Sequence, residues 1–283
     1  MKNKAYTLDY IDSPRSCAVF SCPHSGTDYP ADFVRNSCLS PAQLRSSEDA
    51  FVDRFLGDAL GAPVLKARFP RAYVDLNRAA GEMDPALVRD IKGGAVNPRI
   101  AAGLGVVPRV VANGQVIQLG KMTRSEALQR LDIAYHPYHQ ALSQVIKQQL
   151  ARFGICYLFD FHSMPRSALG GKFSTKRRPD VILGDRYGTA CDAWFGDAVA
   201  LAFEAAGFEV ARNTPFAGGY ITRHYGAPKK GIQAIQIEID RGLYMDEKSV
   251  RPLPEFDRFA KRISGVAARL SRLVPPQKAM AAE

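Results

Sequence analysis

The sequence predicts an α/β protein in which a central sheet is covered by helices on both faces. Short apolar runs alternate along the chain with longer segments of helical periodicity, and this alternation is typical of such sheets. Several of the apolar runs lack a clean apolar–polar alternation, as expected for strands that are covered on both faces. Because 46% of the 283 residues are hydrophobic, the chain can bury one large core, and we expect a single domain spanning residues 1–283.

Six apolar runs are predicted to form the strands of this sheet. Each run is short, and most are bounded by polar residues, glycine or proline. They are residues 15–22, 63–68, 72–76, 155–161, 180–183 and 232–240.

Four segments between the strands are predicted to be helical. They lie near residues 48–60, 124–152, 192–206 and 254–273. In the longest segment, apolar residues recur at spacings of three and four and so share one helix face. These residues are Leu128, Leu131, Tyr135, Tyr138, Leu142 and Val145.

One segment, residues 79–123, interrupts the alternation of strands and helices. It is rich in glycine, proline and asparagine and has few long apolar runs. We interpret it as an insertion or lid near the mouth of the active site. Residues 275–283, at the end of the chain, are expected to be frayed.

Charge and cysteine content restrict the class of partner and the compartment. A formal net charge of +10 predicts attraction to anions, but the basic clusters at 176–178 and 229–230 are short and carry no nucleic-acid-binding motif. No apolar run is long enough to span a bilayer, and the five cysteines contain no close Cys-x-x-Cys pair. We therefore expect a cytoplasmic protein whose partner is a small anionic molecule, rather than nucleic acid or a membrane.

Two of the five histidines lie where strands are predicted to end. His24 follows the first predicted strand in the tripeptide Pro-His-Ser, and His162 follows the strand at 155–161. Ligands of open α/β sheets bind beyond the carboxyl ends of strands. Two imidazoles delivered there can share one metal ion with a carboxylate, although each histidine taken alone could equally be a hydrogen-bonded loop residue.

A carboxylate near residue 48 is expected to complete such a metal site. Glu48, Asp49 and Asp53 are the candidates, and Asp49 and Asp53 would lie one turn apart on the predicted helix. The alternative is that these acids only stabilise the start of that helix, with Ser46 or Ser47 as its cap.

A general base is predicted within the strand at 232–240. Glu238 lies among isoleucines there, where an unpartnered charge is costly and partial burial raises the pKa of a carboxyl toward the range of a proton shuttle. The alternative is a salt bridge from Glu238 to Arg241 or Lys230.

Polar residues at two further places are candidates for binding an anionic substrate. Arg78 presents a planar fork suited to a carboxylate, and Asn77 beside it offers an amide, unless Arg78 simply pairs with Asp75. The glycine-flanked loop at 218–226 carries the other candidates, which are Tyr220, Arg223 and His224. His136 and His139 flank Pro137 within the long helix, where we expect a kink and a supporting role rather than ligation.

The ordered motifs of the chain resemble those of the N-formylglutamate amidohydrolase family. The resemblance runs from about residue 15 to residue 272 and rests on seven motifs in order. They are Pro-His-Ser-Gly at 23–26, the acids from 49 to 53, Val-Asp-Leu-Asn-Arg at 74–78, Pro-Tyr-His at 137–139, Asp-Phe-His-Ser at 160–163, the loop at 218–226, and Glu238 through Met245.

This resemblance implies a three-layer, zinc-carboxypeptidase-like fold with a mostly parallel mixed sheet. It implies one Zn²⁺ per chain, held by His24, Asp49 and His162, although carboxypeptidases have a glutamate where this chain has Thr27. Glu238 would be the general base, and Asn77 and Arg78 would hold the substrate carboxylate.

The activity implied by the resemblance is hydrolysis of an N-formyl or small N-acyl acidic amino acid, with N-formyl-L-glutamate as the expected substrate. Arg78 or Arg223 would support the oxyanion that forms during this reaction. The sequence leaves two alternatives to this activity open. One is a metallopeptidase or amidase that acts on a larger, peptidoglycan-derived peptide, and the other is a non-catalytic binder of acidic ligands.

Overall fold

A seven-stranded mixed sheet forms the centre of the structure, which is a computed structural model describing residues 5–9, 14–57, 60–91, 97–170 and 178–275. The strands of the described residues are β1 Tyr6–Asp9, β2 Ala18–Cys22, β3 Val64–Ala67, β4 Cys156–Met164, β5 Val181–Gly184, β6 Val210–Arg212, β7 Ile232–Asp240, β8 Met245–Asp246 and β9 Arg251–Pro252. The sheet has the strand order β1-β3-β2-β4-β7-β5-β6, and a separate two-stranded ribbon pairs β8 with β9.

The four central strands β3, β2, β4 and β7 run parallel to one another. Strand β1 is antiparallel to β3 at one edge, and β5 is antiparallel to β7 toward the other edge. The predicted mixed, mostly parallel sheet is therefore confirmed. The carboxyl ends of β2, β4 and β7 meet at one edge of the sheet, where ligands bind in folds of this kind.

Eight α-helices accompany the sheet in the described residues. They are α1 Ala31–Arg35, α2 Pro41–Arg45, α3 Pro98–Ala101, α4 Arg124–Arg130, α5 His136–Phe153, α6 Ala193–Glu204, α7 Tyr220–Tyr225 and α8 Phe256–Leu270. None of the helices in this part of the chain is both long and apolar enough to cross a membrane.

Helices cover both faces of the sheet and give the predicted three-layer arrangement. On one face, α6 and α8 pack against apolar side chains such as Phe159 and Ile237. On the other face, α5 packs against residues such as Leu158 and Ala234, together with apolar side chains from the region 72–122.

The longest predicted helix is confirmed, with one irregular turn. Helices α4 and α5 are joined by a π-helical turn over Leu131–Tyr135, which ends two residues before Pro137. Proline has no N–H to donate, so a local change in helical hydrogen bonding is expected beside it. The apolar face is buried as predicted except at Leu128, which is 38% exposed.

Two predicted elements are wrong. Residues 72–76 form turns rather than a strand, because the N–H groups of Tyr73 and Val74 both donate to the carbonyl of Pro70. In place of the helix near 48–60, the described residues form a 3-10 turn at Val52–Phe55, preceded by Phe51 in the left-handed region with φ 68°. A helix cannot continue through that conformation.

Other predicted elements are confirmed, and the structure adds short ones that the pattern missed. The strands near 15–22, 63–68, 155–161, 180–183 and 232–240 and the helices near 192–206 and 254–273 are present. The edge strands β1 and β6 and the short helices α1, α2, α3 and α7 were not predicted. Residues 176 and 177 of the first basic cluster and residues 276–283 of the tail lie outside the described residues.

Candidate metal centre and substrate cavity

The carboxyl-terminal halves of β4 and β7 carry polar side chains on one face of the sheet. Side chains alternate between faces along a strand, so Asp160 and His162 share the face on which Gln236 and Glu238 lie. In the parallel register, Asp160 pairs with Gln236 and His162 with Glu238. All four residues are buried. This concentration of polar groups beneath one helical layer marks the candidate site.

His24 and Asp49 come to the same place from the loops after β2 and α2. The Nδ1 atoms of His24 and His162 lie 3.1 Å apart. Asp49 Oδ2 lies 3.3 Å from Nδ1 of His24 and 3.0 Å from Nδ1 of His162. The backbone N–H of Asp49 donates to the carbonyl of His24, which ties the two loops together. The structure thus brings together the three residues that the sequence predicted as metal ligands.

The outer nitrogen of each imidazole faces a buried aspartate. His24 Nε2 lies 2.8 Å from Asp75 Oδ1, and His162 Nε2 lies 2.8 Å from Asp160 Oδ2. Carboxylate oxygens accept hydrogen bonds, so each Nε2 donates to its aspartate, and the two Nδ1 atoms are left facing Asp49.

Nδ1 of His24, Nδ1 of His162 and Oδ2 of Asp49 are arranged as ligands of a metal ion would be. Two imidazole Nδ1 atoms and a carboxylate oxygen converge, and in the neutral imidazoles each Nδ1 would have a lone pair available for a metal ion. Their separations are close to the edge of a zinc tetrahedron, which is about 3.3 Å for bonds of about 2.0 Å. Histidines whose other nitrogen is held by a carboxylate are also typical of zinc sites. The group His24, Asp49 and His162 therefore has the donor set and spacing of a zinc site.

The electrostatics of the cluster also favour a cation. Burial alone lowers the pKa of His162, but the charge of Asp160 and hydrogen bonds to Asp160 and Asp49 raise it well above the usual range of a histidine. Burial alone raises the pKa of Asp49, but hydrogen bonds to His162 and His24 and the charge of Arg241 hold it well below its usual range. The buried carboxylates thus create a potential that attracts positive charge to the imidazoles.

The other two acids considered from the sequence are engaged elsewhere. Glu48 is buried and accepts from the hydroxyl of Tyr29 and from Nε of Arg45. Asp53 lies in the 3-10 turn near Lys66, and burial raises its pKa. The predicted helix that would have placed Asp49 and Asp53 on one face does not form, and the structure brings only Asp49 to the histidines.

Glu238 is 7% exposed and faces the same cavity as the two histidines. Its Oε1 accepts a hydrogen bond of 2.7 Å from Nε2 of Gln236. Burial raises the pKa of Glu238 to about 7, an increase that the charge of His162 opposes and that of Asp49 reinforces. A carboxyl group with this pKa can both take up and release a proton near neutral pH. The salt bridge to Arg241 that the sequence left open is not formed, since Arg241 donates to Asp49.

A cavity of about 240 Å³ adjoins the cluster and is rich in arginine. Arg71, Arg78, Arg99 and Arg241 all line it, as do His24, His162 and Glu238. This volume suits a small molecule, because pockets for drug-sized ligands are typically about 300–1,000 Å³. A larger groove of about 1190 Å³ is lined by none of these residues, so the smaller cavity is the candidate substrate site.

The segment that carries Asp75, Asn77 and Arg78 is held by the long helix. The hydroxyl of Tyr135, in the π-helical turn, donates to the carbonyl of Arg78 at 2.8 Å. His139 Nε2 donates to the carbonyl of Leu76 at 2.9 Å. The irregular turn before Pro137 thus has a structural consequence, because it helps to fix the backbone of the predicted substrate-binding segment.

Asn77 connects this segment to the sheet and to the loop before α7. Its Nδ2 donates to Oε1 of Gln236 at 3.2 Å, and its Oδ1 accepts from the N–H of Ile221 at 2.8 Å. A Cβ on Gly219 would come within 2.3 Å of the Asn77 amide, so only glycine permits this close approach. Arg78 beside it donates to the carbonyls of Leu104 and Asn77.

The remaining predicted substrate-binding residues lie away from the cluster. Arg223 is exposed, with Nη2 3.6 Å from Glu82, and its guanidinium lies over the ring of Tyr220. His224 stacks on Tyr220 and lines a different cavity, which also contains His136 and His139. From that loop, the residues that line the arginine-rich cavity are Gly218 and Gly219.

Several residues of the site were missed by the sequence analysis. The role of Asp160 was visible in principle, because a residue two positions before a histidine on one strand shares its face. The role of Asp75 beside His24 was not visible, because it depends on the turns at 71–78. Arg71 was also missed; its Nε donates to Asp75 Oδ2 at 3.0 Å while its side chain lines the cavity.

Comparisons with known proteins agree on one family. Residues 16–245 match the sequence model of a family described as N-formylglutamate amidohydrolase. The N-formylglutamate deformylase of Pseudomonas aeruginosa is 32% identical over 237 residues, which cover 82% of this chain and 83% of that protein. The N-formylglutamate deformylase of Pseudomonas putida is 31% identical over 234 residues, covering 81% of this chain and 82% of that protein.

Two solved structures share the fold of this chain. The crystal structure of N-formylglutamate amidohydrolase from Ralstonia eutropha aligns with a TM-score of 0.87 at 32% identity, covering 95% of this chain and 97% of that chain. A gene product of Agrobacterium tumefaciens aligns with a TM-score of 0.65 at 18% identity, covering 95% of each chain, and so shares the fold.

Proposed function

The chain belongs to the N-formylglutamate amidohydrolase family, and from this premise we propose that it is a zinc-dependent enzyme that hydrolyses N-formyl-L-glutamate to formate and L-glutamate. One observation carries the proposal. Two imidazole Nδ1 atoms and Asp49 Oδ2 converge within 3.3 Å of one another, beside Glu238 and an arginine-lined cavity.

His24, Asp49 and His162 would hold the metal ion. A zinc ion bound there would supply Lewis acidity and lower the pKa of water toward about 7. Asp75 and Asp160 fix the orientation and the tautomer of the two histidines through their Nε2 atoms. Because each imidazole is anchored on its far side, the two Nδ1 atoms are held in place before any ligand binds.

Glu238 is proposed as the group that moves the proton. In its ionised form it accepts a proton from the attacking water, and it then returns that proton to the nitrogen of the departing amine. The raised pKa of about 7 matches this task, since the group is close to half-ionised near neutral pH. The hydrogen bond from Gln236 holds one carboxylate oxygen and leaves the other for the proton.

The arginines of the cavity are proposed to bind the two carboxylates of the substrate. Arg78 is buried and, of the cavity arginines, is the one that the family motif assigns to a carboxylate, with Asn77 beside it. Arg99 is exposed at the same cavity. Burial lowers the pKa of Arg78, the charge of Asp75 opposes this, and the charges of Arg71 and Arg99 lower it further. Two neighbouring guanidinium groups repel each other unless anions lie between them, which favours a dicarboxylate over a neutral amino acid.

The volume of the cavity supports a small substrate rather than a long peptide. About 240 Å³ suits an amino acid with a one-carbon acyl group better than a peptidoglycan fragment. Arg99 and Leu104, which line the cavity, belong to the segment 79–123, so we retain the proposal that this segment acts as a lid. All five cysteines are free thiols, which supports a cytoplasmic location.

The proposal is tested by assaying formate release from N-formyl-L-glutamate by the zinc-loaded chain. We expect about one zinc per chain and a preference for N-formyl-L-glutamate over N-formyl derivatives of neutral amino acids. N-acetyl- and N-carbamoyl-L-glutamate in the same panel define the acyl group. A folded, zinc-loaded chain that releases no formate would refute the proposed reaction, whereas a folded chain that binds no zinc would refute the metal.

A further inference from the structure

Arg241 makes four hydrogen bonds around the candidate metal centre. It begins the 3-10 turn directly after β7 and is 6% exposed. Its Nη2 donates to Asp49 Oδ1 at 2.8 Å and to the carbonyl of Ser163 at 3.3 Å. Its Nε donates to the hydroxyl of Ser163 at 3.1 Å, and its Nη1 donates to the carbonyl of Ser46 at 3.2 Å. The guanidinium therefore links the loop that carries Asp49 to the end of the strand that carries His162.

The two oxygens of Asp49 are engaged differently. Oδ1 accepts from Arg241, whereas Oδ2 faces Nδ1 of both histidines. We propose that Arg241 is a positioning residue that holds Asp49 as a monodentate metal ligand, which would bind the ion through Oδ2 alone. This inference rests on the proposed metal site and gives Arg241 a role different from the salt bridge to Glu238 that the sequence left open.

Monodentate binding by Asp49 matters because it keeps the coordination number of the metal ion low. An aspartate without a partner on Oδ1 is free to rotate and present both oxygens to a cation, as carboxylates commonly do with larger ions. A charge-assisted hydrogen bond to a planar guanidinium, itself fixed at three other acceptors, opposes that rotation. Arg241 thereby favours the small coordination shell that zinc adopts in hydrolases.

The position of Asp49 in the fold explains why it needs the hydrogen bond from Arg241. Asp49 follows α2 in a loop without regular secondary structure, whereas His162 lies on a central strand. Besides its contacts with the histidines, Asp49 receives a fixed partner from Arg241, and the hydroxyl of Ser25 donates to the Asp49 carbonyl. A ligand on a loop needs such support to stay in place when the metal leaves.

The test compares Arg241→Gln and Arg241→Lys with the unmutated full chain. Glutamine removes the charge and the fork, while lysine keeps the charge but lacks the planar fork that holds Asp49 and Ser163 in a fixed geometry. Arg212→Gln is the matched control, since Arg212 forms an ion pair with Asp197 on the surface away from the site. Zinc affinity is measured by competition with a chromophoric chelator, and folding by circular dichroism.

We expect Arg241→Gln to weaken zinc binding by about 10–100-fold, the usual cost of losing a partner of a metal ligand. Arg241→Lys should cause a smaller loss, and Arg212→Gln none. The cobalt-substituted Arg241→Gln chain should also absorb less strongly in the visible region, because coordination by both oxygens of Asp49 raises the coordination number. A residue that only stabilises the fold would leave that spectrum unchanged.

A folded Arg241→Gln chain with the zinc affinity and cobalt spectrum of the unmutated chain would overturn the proposal. If Arg241→Gln does not fold, Arg241→Lys and Ser163→Ala carry the same test, because lysine keeps a cation at this position without the planar fork, and alanine removes one acceptor of the guanidinium. Neither readout uses a substrate. An unmutated chain that binds zinc but releases no formate therefore refutes the proposed substrate alone, while unchanged zinc binding in the variants refutes the role of Arg241 alone.

Discussion

His162 and Glu238 occupy directly paired positions on the parallel strands β4 and β7. Because paired residues in a parallel ladder project to the same face, the register itself places the carboxyl group beside the imidazole. A shift of one residue would turn either side chain into the apolar face formed by residues such as Phe161 and Ile237. The placement of the proposed metal ligand beside the proposed proton carrier is thus set by the pairing of two central strands.

The first prediction concerns the proton carried by Glu238. Glu238→Gln should retain zinc, since Glu238 is not among the three converging ligand atoms. It should lower kcat by at least about 100-fold, the lower range for loss of a general acid–base group. Formate release and metal content of the same preparation check this. Turnover at the rate of the unmutated chain would exclude Glu238 as the proton carrier.

Some of this arrangement could be predicted from the sequence, because it depends on local periodicity. The central strands were recognisable as apolar runs, and His24 and His162 follow or end two of them. The run Gln236-Ile237-Glu238-Ile239 already alternates, which assigns the two polar side chains to one face and the isoleucines to the other. The same rule would have paired Asp160 with His162.

The contacts that could not be predicted join residues that are distant in the sequence and lie in irregular segments. Asp75 reaches His24 only because residues 71–78 form turns instead of the predicted strand. Arg241 donates a hydrogen bond to Asp49, which lies 192 positions earlier in the sequence. Arg223 and His224 matched the family motif, yet α7 directs them away from the cavity, and periodicity over six residues is too short to predict that orientation.

The second prediction concerns the aspartates behind the histidines. Asp160→Asn removes the charge that holds Nε2 of His162 and should weaken zinc binding by about 10-fold or more. Asp75→Asn should do the same through His24. Asp197→Asn, at an exposed ion pair remote from the site, is the control. Chelator competition measures each affinity, and equal affinities in all three variants would contradict the assigned roles.

The third prediction concerns the recognition of two carboxylates. Arg78→Gln should lower kcat/KM for N-formyl-L-glutamate by about 10–100-fold, as expected for the loss of a hydrogen bond to a charged group. Arg99→Gln should lower kcat/KM for this dicarboxylate but not for an N-formyl derivative of leucine, which lacks the second carboxylate. Arg212→Gln should behave as the unmutated chain. An equal effect of Arg99→Gln on both substrates would assign Arg99 to the fold or the lid rather than to the second carboxylate.

The fourth prediction concerns stability in acid and follows from His139. Burial lowers the pKa of His139 from 6.5 to about 4, with the hydrogen bond to Leu76 opposing this shift. Above pH 6.5 His139 is neutral in both the folded and the unfolded chain, so it adds no pH dependence. As the pH falls from 6.5 toward 4, the unfolded chain binds a proton at His139 and the folded chain does not, so the free energy of unfolding decreases by up to about 3 kcal/mol.

The variant His139→Gln cannot titrate at this position. Its free energy of unfolding, measured with urea between pH 7 and 4, should therefore fall less steeply than that of the unmutated chain. His136→Gln, at an exposed position on the same helix, supplies the comparison. Parallel pH profiles for all three proteins would show that the folded chain protonates His139 as readily as the unfolded chain does, and would contradict the lowered pKa.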